Sequence, residues 1–346
     1  MITNNWYFIL PLFALLSLVA CQEEKPISQA EKVNPVATAN PENALINSLS
    51  FKIADNPKDA DLYAQRAQAF YDKEGYDEAI TDLQEAIRLD STNLNYPHLL
   101  ADVYMDYFKS RKAIQTMERV VKRFPESIPS LLKISEFYLI IKQHDNALKS
   151  IDQLLKLDAQ NAEAYFMLGR IFEDMGDQNR AINSYQTAVE NDPDLHEVWV
   201  KLGNLFASKE NKLAIQYYEN ALRVAPENID ALFAKATYLH NQGQLNEAIE
   251  NYKALSKVDP QYADAYYNMG LAYMELDSIQ EAYMQFDLTV KMKPTHIMGY
   301  YYRGVAAESR GEREAAMNDY QQALNLYPSF DRAQQALDKL KAESQQ

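Results

Sequence analysis

The stretch AEAYFMLGRIFEDMGDQNRAINSYQTAVENDP, residues 162–193, decides the fold of this chain. Small and apolar residues recur in it at the spacing of one helix face, in two groups: Tyr165, Leu168, Gly169 and Phe172, then Ala181, Tyr185 and Ala188. Gly176 separates the two groups, and Pro193 ends the second because proline cannot continue a helix. The pattern predicts two short helices joined by a turn.

The same pattern occurs eight times, with a period of 34 residues and a single period of 33. The units begin at Ala60, Leu94, Ile128, Ala162, His196, Ile229, Ala263 and Ile297, and this first residue is position 1 of each unit. Position 20 is always alanine: Ala79, Ala113, Ala147, Ala181, Ala214, Ala248, Ala282 and Ala316. Position 8 is always small, and position 24 is always large and apolar. Because small residues let two helices approach and large ones fill the space beside them, the units predict stacked helical hairpins.

This pattern resembles the tetratricopeptide repeat, which has an aromatic residue at position 4, Leu-Gly at 7 and 8, Tyr at 11, Ala at 20 and 27, an aromatic at 24 and Pro at 32. The resemblance covers residues 60–330, and it is weakest in the second and third units, which have Pro97 at position 4 and Leu154 at position 27. It implies an all-α fold, a right-handed α-solenoid superhelix of helix-turn-helix repeats. Four glycines are expected in the turns, where a left-handed residue ends the first helix: Gly75, Gly176, Gly243 and Gly311.

The charge balance of the chain limits its partners. The 346 residues include 49 acidic and 34 basic residues, a formal net charge of −15. Nucleic-acid binding requires a basic surface, so we expect no nucleic-acid partner. The acidic excess favours solubility and partners that are basic or neutral.

Residues 1–20 predict a signal peptide. Residues 6–20 form a nearly unbroken apolar run, which is shorter than the roughly 20 residues that cross a bilayer. The run ends in LVAC, residues 18–21, which resembles the processing site of bacterial lipoproteins, and Cys21 is the only cysteine of the chain. The resemblance implies that Cys21 is diacylated and begins the mature protein. A short uncleaved anchor or an ordinary secreted protein are the alternatives, because no Lys or Arg precedes the run.

The segments that flank the repeats have separate roles. Residues 21–41 contain three prolines and no aromatic residue, which predicts a disordered tether behind the lipid. Its start, residues 22–24, resembles the surface-export signal of some bacterial lipoproteins, or is simply polar. Residues 42–57 predict a capping helix or the second helix of a degenerate repeat, and residues 331–346 predict a C-terminal capping helix and tail.

No catalytic or metal-binding constellation is visible in the sequence. The five histidines fall at unrelated positions of different units, and no two share a helix at the spacing of a metal site. No glycine-rich loop is placed to hold a phosphate. We therefore expect no enzymatic activity, no cofactor, no metal and no small-molecule substrate.

The variable positions of the repeat are the candidates for binding. In tetratricopeptide superhelices the first helix of each repeat lines the concave groove, with positions 2, 5, 9 and 12 directed into it. The predicted groove residues are Phe166, Phe233, Tyr267, Leu271, Tyr301 and Tyr302, which are apolar, and Glu163, Glu197, Asp230 and Asp264, which are acidic. The apolar residues could instead pack between units, and the acidic ones could instead complement the helix dipole.

These features predict a non-enzymatic scaffold or adaptor of the bacterial cell envelope. It would be anchored by lipid on Cys21, expected at the outer membrane, and would bind a partner protein or peptide in its groove. A homo-oligomeric structural envelope protein, an accessory subunit that regulates an envelope enzyme, and a cytoplasmic cochaperone are the alternatives.

Overall fold

The computed structural model describes residues 43–344. Within this range the chain forms eighteen α-helices and no β-strand, which confirms the predicted all-α repeat solenoid. The predicted signal peptide, Cys21 and the tether lie outside the described residues. No helix in the described range is both long and apolar enough to cross a bilayer.

The helices alternate between first and second helices of the eight repeats. The first helices begin at the first residue of each unit or one residue later: α2 (Ala60–Tyr71), α4 (Asn95–Asp106), α6 (Ile128–Ile140), α8 (Ala162–Asp174), α10 (His196–Ala207), α12 (Ile229–Asn241), α14 (Ala263–Glu275) and α16 (Ile297–Ser309). The second helices are α3 (Tyr76–Leu89), α5 (Ser110–Arg123), α7 (His144–Leu157), α9 (Gln178–Asn191), α11 (Leu213–Val224), α13 (Leu245–Val258), α15 (Ile279–Met292) and α17 (Arg313–Leu326). One helix precedes the repeats, α1 (Ala44–Asp55), and one follows them, α18 (Asp331–Glu343).

Side-chain caps begin several first helices. Asn161 Oδ1 accepts a hydrogen bond from the amide of Ala164 at 2.9 Å, and Asn228 Oδ1 accepts one from Ala231 at 2.8 Å. The first amides of a helix have no partner inside the helix, so each cap satisfies a donor that would otherwise be unpaired.

Every turn inside a repeat contains one left-handed residue, at position 15. Three are glycines, Gly176, Gly243 and Gly311, with φ of 79°, 72° and 76°. The others carry side chains: Glu74, Phe108, Lys142, Glu210 and Asp277. The prediction for Gly75 is wrong, because its φ is −78° and the preceding Glu74 takes the left-handed conformation instead.

The two helices of a hairpin meet most closely where position 8 faces position 24. A Cβ atom on Gly169 would lie 2.2 Å from Tyr185 Cε1, and one on Gly270 would lie 2.6 Å from Phe286 Cε1. Four repeats combine glycine with an aromatic ring: Gly169 with Tyr185, Gly203 with Tyr218, Gly270 with Phe286, and Gly304 with Tyr320. Three combine alanine or serine with an aliphatic or thioether side chain: Ala67 with Leu83, Ala101 with Met117, and Ser135 with Ile151. In these seven repeats a smaller residue at position 8 accompanies a larger one at position 24. Only Ala236 with Tyr252 departs from this relation.

Neighbouring repeats are joined by a ring at position 4. Its polar atom donates a hydrogen bond to the carbonyl at position 32 of the preceding unit, six residues earlier. These bonds run from Tyr63 to Pro57 (3.3 Å), Tyr165 to Ala159 (3.2 Å), Trp199 to Pro193 (2.8 Å) and Tyr266 to Pro260 (3.1 Å). The second, third and sixth repeats cannot form this bond, because the side chains of Pro97, Leu131 and Leu232 have no donor.

An arginine at position 7 secures each end of the array. Arg66 binds both carboxylate oxygens of buried Asp82 at 2.7 Å and donates to Ser50 Oγ of α1 at 3.0 Å. Arg303 binds both oxygens of buried Asp319, at 2.8 and 2.6 Å.

Arg303 also reaches the preceding repeat, where it binds Asp287 at 2.8 Å. Ser50 and Asp287 both precede their arginine by sixteen residues, so α1 occupies the place of a second helix.

The first helices form the inner face of the solenoid. First helices of neighbouring repeats, such as α6 and α8 or α10 and α12, pack against one another more closely than the second helices do. Leu49 of α1 and Leu337 of α18 are 2% exposed, so both flanking helices cover the apolar ends of the stack.

The close contact between positions 8 and 24 can be tested in the seventh repeat. Gly270→Ala should lower the free energy of unfolding by about 1–3 kcal/mol, because the added methyl group collides with the Phe286 ring. Adding Phe286→Leu should recover part of this loss, since the pair then resembles Ala67 with Leu83. Urea unfolding of the two single variants and the double variant measures the coupling energy between residues 270 and 286. If the two changes in unfolding free energy simply add, the two side chains do not compete for the same space, which would contradict this explanation.

The backbone strain at Phe108 can be tested in the same way. Phe108 has φ of 56° and a side chain that is 95% exposed, so Phe108→Gly removes strain and little packing. We expect the free energy of unfolding, measured by thermal or urea denaturation, to rise by about 0.5–1 kcal/mol. Gly176→Phe is the matched control and should lose stability, although a Cβ at residue 176 has no atom within 4 Å.

Candidate binding site on the inner face

A cavity of about 560 Å³ opens between the first turns of α6, α8 and α10. Its floor is apolar and buried or half-buried: Leu132, Phe166, Met167 and Val198. Its rim is acidic: Glu136, Glu163, Asp194 and Glu197. The structure therefore brings three of the predicted groove residues, Glu163, Phe166 and Glu197, into one site.

Phe166 is held at the floor of this cavity by its neighbours. Its ring centroid lies 5.9 Å from that of Tyr185, the buried position-24 residue of the same repeat. The guanidinium of Arg170 lies 5.9 Å from the Phe166 ring on the same helix. The ring is thus fixed from below while part of its surface stays accessible, as a binding anchor requires.

The basic side chains near the cavity are already paired with acids of the preceding repeat. Lys133 binds Asp102 at 2.6 Å, Arg170 binds Glu136 at 3.1 Å, and Lys201 binds Glu173 at 3.3 Å. These three ion pairs follow the inner face from repeat 2 to repeat 5.

The outer part of the rim is left with unbalanced negative charge. Within residues 43–344, no cation lies at ion-pair distance from Glu163, Asp194 or Glu197, and Glu163 and Glu197 are exposed. A basic group of a ligand would meet three carboxylates above an apolar floor.

The other two predicted acidic residues lie outside this cavity. Asp230 is exposed at the start of α12 and, within the described residues, has no ion-pair partner. Asp264 lies 3.3 Å from Nε2 of His296, the N-cap residue of α16, so part of its charge faces this histidine rather than solvent. Burial of the His296 ring lowers the pKa of that histidine, and Asp264 opposes this shift.

The remaining predicted aromatic residues are half-buried and packed on one another. Phe233 lies 5.5 Å from Tyr262, and Tyr267 lies 6.0 Å from Tyr302, between ring centroids. Tyr301 contacts Tyr302 at 5.2 Å and Phe330 at 5.1 Å.

Burial raises the pKa of the Tyr267 hydroxyl to about 12. Leu271 packs in the same cluster, against buried Phe286. These residues pack against the core, as Phe166 also does, but they do not line the cavity between α6, α8 and α10.

Some residues of the site were not predicted from the sequence. Lys133, Asp194 and the ion-pair series were missed, although Glu136 and Arg170 are 34 residues apart and so occupy the same position of neighbouring repeats. Opposite charges at that separation are the signal that could have revealed them. In the described part of the chain, no group of three or more His, Cys, Asp or Glu residues is placed to hold a metal ion.

Because of His98, the stability of the folded protein should depend on pH. Its Nε2 lies 2.8 Å from Ser130 Oγ, and burial together with Lys133 lowers its pKa to about 4. An unfolded histidine has a pKa near 6.5, so between pH 6.5 and 4 the unfolded chain binds a proton that the folded chain does not. Stability should therefore fall as the pH falls through this window.

The variant His98→Gln should make that decline shallower. Glutamine retains a polar group that can reach Ser130 but does not titrate. Urea unfolding at several pH values from 7 to 4 measures the slopes, and equal slopes for the two proteins would refute the role of His98.

The repeats of this chain match models of a known repeat family. Models of the tetratricopeptide repeat match residues 60–93, 128–161, 162–195 and 263–296, and related models match residues 99–127, 217–250, 238–277 and 299–329. Together the matches cover more than half of the chain.

Curated relatives share only part of their length with this chain. The human protein O-mannosyl-transferase TMTC1 is 30% identical over 174 residues, which is 49% of this chain and 20% of that protein. The BBSome complex member BBS4 homolog of Drosophila melanogaster is 24% identical over 159 residues, which is 45% of this chain and 32% of that protein. The chain thus spans less than a third of the length of either relative.

A solved structure agrees with the fold. The C-terminal part of a TPR repeat-containing protein from Cytophaga hutchinsonii superimposes with a TM-score of 0.59 at 18% identity, over 69% of this chain and 99% of that chain. The repeat spacing, the helical hairpins and the matching repeat models agree, and the chain belongs to the tetratricopeptide repeat family.

Proposed function

We propose that this chain is a non-enzymatic scaffold that binds a basic segment of a partner protein in the cavity between α6, α8 and α10. Tetratricopeptide repeat proteins in general mediate protein–protein interactions, so the class of function follows from the family. The observation that carries the finer proposal is the combination of an apolar floor at Phe166 with an unpaired acidic rim at Glu163, Asp194 and Glu197.

The chemistry of the cavity selects the occupant. An aromatic or aliphatic side chain of the partner would cover Phe166 and Leu132, which removes apolar surface from water. Lysine or arginine residues on either side of it would reach the rim carboxylates, which would orient the segment and raise its association rate. Because Lys133 and Arg170 are already paired, the rim does not repel such a segment.

The peptide preference can be tested with the full chain. Short fluorescent peptides with one Phe, Tyr, Trp or Leu flanked by lysine and arginine are the probes, and the same peptides with acidic flanks are the charge-reversed set. We expect anisotropy to report binding of the basic set, and Glu163→Gln with Glu197→Gln to weaken it about tenfold or more.

Two controls make this result specific. Glu190→Gln with Glu247→Gln removes the same charge from exposed residues of second helices and should leave binding unchanged. Leu132→Ala should also weaken binding, since it removes floor without changing charge. Equal binding by all variants, or no preference for basic flanks, would exclude the cavity as the site.

We further propose that the scaffold is anchored to a membrane of the bacterial cell envelope, the outer membrane, by lipid on Cys21. The apolar run before Cys21 and the LVAC sequence support this anchor. Intact-mass spectrometry of the purified protein should find a mature chain that starts at diacylated Cys21, and Cys21→Ser should abolish the lipid mass and membrane recovery. A soluble protein that retains Met1 would refute the anchor without affecting the peptide proposal.

Self-association would favour the alternative function, that of a homo-oligomeric structural protein of the envelope. Light scattering of the full chain in detergent, with the Cys21→Ser variant in buffer, distinguishes a monomeric scaffold from a homo-oligomer. We expect a monomer at micromolar concentration.

A further inference from the structure

The second helix of repeat 2 is basic in a chain that is strongly acidic. Helix α5 has five basic residues, Arg111, Lys112, Arg119, Lys122 and Arg123, and one acidic residue, Glu118, whereas the whole chain has a formal charge of −15. All five basic residues are exposed. This helix therefore gives one part of the outer side a positive potential that the composition does not suggest.

A cavity of about 340 Å³ lies beside this helix, between α3 and α5 and above α4. Its walls include Leu100, Tyr104 and Val120, and the guanidinium groups of Arg119 and Arg123 stand at its edge. Its lining comes from repeats 1 and 2 and shares no residue with the inner-face cavity, which lies between α6, α8 and α10.

Two repeat positions that line this cavity have residues found at the same position of no other repeat. In four other repeats a ring at position 4 bonds to the carbonyl at position 32, and in two more position 4 is leucine, Leu131 and Leu232. Here position 4 is Pro97 and position 32 is Ser91, and both line the cavity. No ring occupies position 4 here, and Arg123 Nη2 donates to Ser91 Oγ at 3.3 Å.

The two arginines are also departures from the pattern. Position 26 is Arg119 in repeat 2. In the other repeats it is Glu85, Gln153, Thr187, Asn220, Ala254, Leu288 and Gln322. Position 30, occupied by Arg123, is otherwise Leu89, Leu157, Asn191, Val224, Val258, Met292 and Leu326. No other repeat has a cation at either position, so hairpin stacking does not require these arginines.

The arginines bond only to uncharged oxygen atoms within the described range. Arg119 donates to the carbonyl of Gln115 at 3.2 Å and to Thr116 Oγ1 at 3.3 Å. Arg123 lies 5.2 Å from the Phe124 ring centroid, which holds its guanidinium over an apolar surface.

The nearby carboxylates are engaged elsewhere. Glu118 accepts a hydrogen bond from Tyr138 at 2.9 Å, Glu85 binds Arg88 at 2.6 Å, and Asp90 accepts hydrogen bonds from Thr92. No carboxylate of residues 43–344 is at ion-pair distance from Arg119 or Arg123.

We propose that this cavity is a second docking site, which binds an acidic segment of a protein partner. An apolar side chain of the segment enters between Leu100, Tyr104 and Val120, and flanking Asp or Glu carboxylates bind Arg119 and Arg123. A guanidinium matches a carboxylate through two parallel hydrogen bonds, which gives the contact direction as well as charge. The apolar walls favour a peptide over a flat membrane surface, which offers no single side chain to fill a cavity.

Three variants of the full chain test the site. Arg119→Gln with Arg123→Leu removes both cations and installs residues that other repeats have at these positions, so the hairpin should fold. Pro97→Tyr fills the cavity with the ring found in four other repeats and leaves every charge in place. Lys149→Gln with Lys257→Gln is the control, since it removes two exposed positive charges from other second helices.

The probes are the acidic-flanked fluorescent peptides described above, with the basic-flanked set as the reversed control. We expect the acidic set to bind, the double arginine variant and Pro97→Tyr each to weaken binding about tenfold or more, and the lysine control to have little effect. Pro97→Tyr should at the same time raise the unfolding midpoint, which shows that the ring has entered the cavity.

Three results would overturn the proposal. The first is that the acidic peptides bind no better than the basic ones. The second is that the lysine control variant loses as much affinity as the arginine variant, which would show that binding depends on the overall charge and not on this cavity. The third is arginine-dependent binding to phosphatidylglycerol vesicles without binding of acidic peptides, which would reassign the surface to a membrane. Because the inner-face site is tested with peptides of opposite charge and other variants, failure of one proposal leaves the other intact.

Discussion

The close approach of two helices at positions 8 and 24 is the contact on which the rest of the structure depends. Where Gly169 lies under the Tyr185 ring, the two helices are so close that a Cβ atom on residue 169 would lie 2.2 Å from the ring. Each hairpin sets its own spacing in this way, and the next hairpin stacks on the surface that results. The inner-face cavity inherits its floor from the same contact, since Phe166 rests on Tyr185.

The sequence was sufficient for the fold because the constraint recurs. Eight alanines at position 20 and a small residue at every position 8 can be recognised from spacing alone, and the helices begin at the first residue of seven of the eight units. Local conformation was predicted less well. The left-handed residue belongs to position 15 whatever its side chain, so a glycine at the next position, Gly75, was mistaken for it.

The binding site could be predicted only in part. Positions 2 and 5 of the repeat share a helix face, so periodicity predicts that Glu163 and Phe166 lie near one another, and both line the cavity. Which acids remain unpaired depends on long side chains that reach across repeats, as Lys133 does to Asp102, and helix periodicity does not encode that reach. The rings of Tyr267 and Tyr301 occupy the same position as Phe166, but they also pack against Tyr302 and Phe330, and helix periodicity does not predict these neighbours. The basic character of α5 was hidden in the sequence by the acidic average of the chain.

The paired arginines at the two ends of the array bear on how the molecule comes apart. In a linear stack each hairpin touches only its neighbours, so terminal hairpins ordinarily peel away before the middle. Arg66 and Arg303 each bind a buried aspartate of their own hairpin, and each also contacts the preceding helix. At the N-terminal end this second contact is a hydrogen bond to the Ser50 hydroxyl, and at the C-terminal end it is an ion pair with Asp287. The arginine thus links the packing inside the terminal hairpin to the contact with its neighbour. Loss of the neighbouring helix at either end therefore also removes a partner of the arginine that joins the two helices of the terminal hairpin, so the two events are coupled.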